Sequence, residues 1–172
     1  MTKIMSRIVT YFGLVAALCF EPLDAQDVFQ PVPIAECLND PKAAGLEILS
    51  DVNPFYLRGD FDGDSKSDYA LQVRSLSRGG TGVLICTGRS MVFLLGSGIG
   101  NSKFSDMEHD AFLAPQWDVF TKQDVLDLRK YRTNVPRPVP TVRFEAIAMI
   151  WEDGISLIYW DGREFKWAGS KH

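Results

Sequence analysis

The chain has 172 residues, 46% of them hydrophobic and 23% charged, which excludes a disordered or collagen-like chain and fits one globular domain. Twenty-two acidic residues against 18 basic ones give a net charge of −4, so a nucleic-acid binder with a basic face is excluded too. Outside the N-terminal segment no apolar run is long enough to span a bilayer.

Residues 1–25 read as a secretory signal peptide. Lys3 and Arg7 precede the apolar run Ile8–Phe20, and the small Ala25 stands before the polar Gln26. This places the protein in the periplasm or outside the cell, with 26–172 as a single β-rich domain. Two other readings compete for the segment: an uncleaved anchor, and lipidation at Cys19. Export changes the cysteine arithmetic. With Cys19 removed, Cys37 and Cys86 remain, and a pair in an oxidising compartment suggests a disulfide closing a loop of about 50 residues. Two separate buried thiols are the alternative.

In chain order, Gln26 to Pro33 reads as an extended, proline-containing lead-in. Asn39-Asp40 before Pro41 suggests a short helix over Pro41–Leu49, which Gly45 disfavours. Strand-like runs follow at Phe55–Arg58, Tyr69–Arg74, Gly82–Thr87 and Met91–Leu95, with Gly88-Arg89 as a hairpin turn. Gly96 to Pro140 is the least regular part, with a strand or helix around Trp117–Arg132 and an extended link through Pro136, Pro138 and Pro140. The C-terminal runs Val142–Trp151, Ile155–Trp160 and Arg163–Trp167 are separated by the turn signals Asp153-Gly154 and Asp161-Gly162. The expected fold is therefore α+β and β-rich: a single antiparallel sheet of about six strands with one or two short helices, and not a full propeller.

The sharpest chemical signal is Asp60-Phe-Asp-Gly-Asp-Ser-Lys-Ser-Asp68. Four carboxylates within nine residues repel one another, and a hard divalent cation relieves that repulsion, because Ca²⁺ takes six to eight oxygens at flexible geometry. An EF-hand needs Gly at the sixth position and Glu at the twelfth; here these are Ser65 and Leu71, so that loop is excluded. Gly59 to Ala70 instead resembles the calcium-binding hairpin loop of FG-GAP (VCBS-type, integrin-α-like) repeats, D-x-D-x-D-G-x-x-D between two strands. The resemblance implies a Ca²⁺ held by Asp60, Asp62, Asp64, the Lys66 carbonyl and Asp68. It departs at Ser65, where the family has glycine, and in copy number: the family builds propellers from several repeats, and this chain has one loop. It thus carries over the metal site and not the architecture. More widely, the chain resembles small exported bacterial proteins of uncharacterised role. Mg²⁺ and an empty, solvated acidic turn are the competing readings.

Weaker signals point to less. His109 lies among Asp106, Glu108 and Asp110, a setting for acid/base work or a second metal site, against which stands the reading of a merely solvated histidine in an acidic surface loop. The run Gly96-Ser-Gly-Ile-Gly100 lacks the G-x-G-x-x-G spacing of a dinucleotide site. Tyr159, Trp160, Phe165 and Trp167 form an aromatic-rich hairpin in which Tyr159 faces opposite to Trp160 and Phe165 shares a face with Trp167, so one face of each strand is core. An exposed remainder, with Trp117 or Trp151, would suit a protein or carbohydrate partner. The resulting expectation is an exported, non-enzymatic protein whose single Ca²⁺ supports a binding surface. Its rivals are a periplasmic inhibitor or immunity protein against a toxin or cell-wall hydrolase, and a metal-assisted hydrolase using His109.

Overall fold

Strand β3 (Asp68–Ser75) organises the N-terminal half, and all its residues but Arg74 are buried. A strand buried on both faces needs cover on both, and the chain supplies it with two sheets instead of one. The computed structural model describes residues 32–77, 79–96, 98–99, 104, 112–130 and 134–169. The segment read above as a signal peptide, Cys19, most of the lead-in, the acidic stretch with His109, and His172 lie outside these residues.

On one edge β3 pairs antiparallel with both β1 (Leu46–Ile48) and β2 (Tyr56–Gly59), and on the other with β4 (Thr81–Cys86), which in turn pairs with β5 (Val92–Gly96). The second sheet is an antiparallel meander of β6 (Gln116–Phe120), β7 (Ala146–Trp151), β8 (Gly154–Trp160) and β9 (Phe165–Ala168). The expected single sheet of about six strands is therefore corrected to two sheets, of five and four strands. The physical reason lies in β4, whose six residues are all buried. A continuous apolar strand cannot leave one face to water.

Period-two alternation divides each strand between two apolar clusters. From the first sheet, Ala70, Val83, Ile85 and Leu95 point inward to meet Ile147, Met149, Ile158 and Phe165 of the second. Opposite them, Tyr69, Leu71, Leu84, Cys86 and Leu94 pack with Ile34 and Cys37 of helix α1 (Val32–Leu38). The outer face of the second sheet is covered by helix α2 (Lys122–Asp127), with Val125, and by Val135 and Val142 of the following segment.

Several local expectations change. The sequence Pro41–Leu49 forms only a 3₁₀ turn at Pro41–Ala43, capped by the Asp40 carboxylate accepting from the Lys42 N–H, before Gly45 at φ +75° releases the chain into β1. Helix α1 lies where an extended lead-in was expected to end. Around Trp117 both a strand and a helix form, joined by a capping box between Thr121 and Asp124. Trp117 is buried at 3% exposure and its indole N–H donates to the Pro54 carbonyl, so it is a core residue and offers no sugar-binding face. Trp151 is half-buried and donates to the Leu113 carbonyl. Among the described residues, no helix is long and apolar enough to cross a membrane.

Cys37 and Cys86 are disulfide-bonded, with a Cα–Cα distance of 5.7 Å, and tie α1 to the end of β4. Closing a loop with a sequence separation of 49 restricts the unfolded chain by about 4 kcal/mol on the chain-entropy account. Replacing both cysteines with serine is expected to lower the unfolding free energy by up to that amount in a denaturant titration under oxidising conditions. Reductant should then leave the double variant unaffected while destabilising the wild type.

Candidate metal centre

The β2–β3 hairpin closes with Gly59 opposite Asp68, so residues 60–67 leave the ladder and must satisfy their backbone groups otherwise. They do so with carboxylates. Seven consecutive amides, Asp60 to Lys66, each donate to a carboxylate oxygen: Asp60 to Glu145, Phe61 and Asp62 to Asp68, Gly63 and Ser65 to Asp60, Asp64 to Asp62, and Lys66 to Asp64. The N–H···O distances run from 2.7 to 3.2 Å, within the range of sound hydrogen bonds. An eighth amide, Gly88 in the β4–β5 turn, donates to the other Asp68 oxygen at 2.8 Å.

This wrapping draws three of the four aspartates together. One carboxylate oxygen from each of Asp60, Asp62 and Asp68 lies within 4.8 Å of the others. Two oxygens about 2.4 Å from a shared Ca²⁺ are at most about 4.8 Å apart, so the trio is spaced to share one ion. Asp62 supplies the decisive detail. Its Oδ1 accepts from the Asp64 amide, but its Oδ2 is buried without a hydrogen-bond partner, in a residue only 7% exposed. A buried carboxylate oxygen without a partner, on a residue clustered with two more carboxylates, is costly unless a cation meets it. All donors are hard oxygens, which fits Ca²⁺ or Mg²⁺ and not the softer transition metals.

Asp64 stands apart from the trio. Its Oδ2 accepts from the Arg89 guanidinium at 2.9 Å, and Arg89 sits in the same turn as Gly88. At Lys66 the ammonium reaches back to the Gly88 carbonyl. Behind the loop, Phe61 is fully buried between the sheets, and Phe144 lies so close to Gly63 that a Cβ there would come within 2.3 Å of its ring. Glycine is required on both counts, since Gly63 also holds φ +80°. Glu145, Gly88 and Arg89 gave no local signal in the sequence, being 85, 20 and 25 residues from the groups they hold. The antiparallel pairing of Tyr69 with Cys86 brings the second and third of them beside the loop.

Electrostatics agree with this geometry. Burial pushes the Asp62 carboxyl above the ordinary aspartate range, and the neighbouring Asp64 charge adds to the shift. Burial raises Asp68 as well, against the lowering effect of the Gly88 and Phe61 amides. A carboxyl whose pKa rises on folding costs stability once the pH exceeds that raised value, and costs none below its unfolded value. In chelator, Asp62→Asn is therefore expected to melt higher than the wild type at neutral pH. The gap should close as pH falls toward the ordinary value of 3.8, and a gap independent of pH would refute the assignment.

Ser65 occupies the left-handed region at φ +64°, where the residue at this position of the resembled loop is glycine. Left-handed backbone costs a non-glycine residue about 1–2 kcal/mol, partly offset by the flexibility glycine adds to the unfolded chain. Ser65→Gly is expected to stabilise the protein by about 0.5–1 kcal/mol in a denaturant titration, with or without metal.

No protein-family model matches the chain, and comparisons with curated proteins and with solved structures return no match, so the chemistry of this centre rests on its own residues.

Proposed function

We propose that this is an exported, non-enzymatic protein that binds one Ca²⁺ in the 60–68 loop, where the ion fixes the hairpin and supports a binding surface for a protein or carbohydrate ligand. One observation carries the reading: the buried Asp62 Oδ2 has no hydrogen-bond partner, and Asp62 belongs to a trio of carboxylates spaced for a shared cation. Asp60, Asp62 and Asp68 are its donors, and the resemblance to FG-GAP loops adds Asp64 and the Lys66 carbonyl. Ca²⁺ is preferred to Mg²⁺ because a carboxylate-rich site of flexible geometry suits the larger ion. Disulfide bonding of Cys37 to Cys86 supports an oxidising compartment.

The role is structural because of what the loop holds. Through Phe61, Gly63 and the Asp60 amide it touches the core between the sheets, Phe144 and Glu145. An ion that fixes the loop also fixes how the first sheet sits on the second. Beside it lies a shallow, open depression lined by Arg58, Asp60, Ser65, Lys66 and Glu145, charged and polar groups suited to a polar ligand.

Binding of Ca²⁺ to the folded state alone adds RT ln(1 + [Ca²⁺]/Kd) to stability. With Kd of about 10⁻⁴–10⁻³ M, as in extracellular modules, 10 mM Ca²⁺ contributes about 1.4–2.7 kcal/mol. Thermal melts of the oxidised protein should rise across a Ca²⁺ titration from EDTA, rise less with Mg²⁺, and stay flat in Asp62→Ala. A wild-type melt that does not move at 10 mM Ca²⁺ overturns the reading.

A further inference from the structure

Four aspartates enter the loop and three converge, and the fourth is diverted by a residue outside it. Asp64 is half-buried with its side chain only 3% exposed. Like Asp60 and Asp68 it accepts a loop amide, Lys66 N–H to Oδ1, and in addition its Oδ2 accepts from the charged Arg89 Nε. Arg89 is 54% exposed at its side chain and belongs to the turn that holds Asp68 through the Gly88 amide. We infer that Arg89 sets the affinity and charge of the metal centre by acting as a built-in counter-cation that withholds Asp64 from the ion. The inference rests on the calcium reading above and departs from the ligand set the resemblance implies.

Two physical effects act in the same direction. First, a guanidinium next to the carboxylate cluster adds a positive charge that repels an incoming divalent cation. Second, the buried Asp64 carboxylate needs one counter-charge, and a well-aligned N–H···O bond to Arg89 supplies it before any ion arrives. Once Arg89 loses its charge, the ion becomes the available counter-charge and the ligand set gains a fourth carboxylate. Affinity in oxygen-ligand sites rises with the number of charged ligands. Arg89 would thus keep the metal-free loop folded and hold its calcium affinity low, so that the site responds to changes in extracellular calcium instead of remaining permanently filled.

The test is a double-mutant cycle on the oxidised protein: wild type, Arg89→Gln, Asp64→Asn and the double variant, titrated with Ca²⁺ by calorimetry at low salt and melted in EDTA. Arg89→Gln is expected to bind Ca²⁺ on the order of tenfold more tightly while melting lower in EDTA, a reversal that general loss of structure cannot produce. Asp64→Asn, which leaves the Arg89 charge unpaired, should weaken binding but less than Asp62→Asn does, and the double variant should lose most of the gain, because Asp64 is the ligand that Arg89 releases. The difference between wild type and Arg89→Gln should also narrow at high salt. Weaker or unchanged binding by Arg89→Gln, where the wild type binds, overturns the inference and leaves the calcium reading standing. Asp64→Asn weakening the wild type as severely as Asp62→Asn has the same force. Silence in all four proteins overturns the calcium reading and this inference with it.

Discussion

A loop that leaves a sheet must find partners for its amides, and here every amide from Asp60 to Lys66 finds a carboxylate. That single constraint explains both the composition of the loop and its shape. Aspartate is the residue whose side chain reaches a neighbouring backbone N–H most directly, so alternating aspartates wind the chain around their own oxygens. Winding concentrates negative charge, and the same bonds that make the turn draw the carboxylates into the proposed cation site. Backbone satisfaction and a carboxylate cluster that could hold a metal ion are two results of one arrangement.

The arrangement is stabilised from two sides. The β4–β5 turn presses on it through Gly88 and Arg89, and its position follows from β3 pairing with β4. From the second sheet come Phe144 and Glu145, just before β7. Phe61 sits between these supports, fully buried among residues of both sheets. The disulfide holds α1 against the strand that leads into the β4–β5 turn, so a covalent constraint ends two residues from a hydrogen bond to Asp68.

Much of this was legible in the sequence, for identifiable reasons. The acidic spacing and its flanking strands are local, and they fold as a hairpin with Gly59 facing Asp68, as the pattern required. The strands from β3 to β5 and the turns at Glu152–Asp153 and Asp161–Glu164 also declare themselves through apolar runs and turn residues. Pairing of the two cysteines followed from their number and the inferred compartment. What stayed hidden was non-local. Two sheets have the same strand signals as one, because apolar alternation says which face is buried but not what covers it. The short helix at Val32–Leu38 is preceded in the sequence by Gln30-Pro31, which signals no N-cap, so it carried no expectation, and Gly45 turned an expected helix into a strand. At the metal centre, the sequence named four aspartates alike, and only the fold separates the converging three from the one paired with Arg89.

Glu145 gives the molecule a property that its motif does not suggest. Read along the chain, the acidic loop looks like a portable cassette, complete within a dozen residues. Its first amide is nevertheless held by a side chain 85 positions later, and its glycine lies beneath the ring next to that side chain. A fragment ending after β5 would contain every aspartate of the loop and still lack both the acceptor and the cover that the loop relies on. The centre is therefore not modular. It is local in composition but global in completion, and a chain emerging from its N-terminus would finish the loop only after the second sheet had arrived.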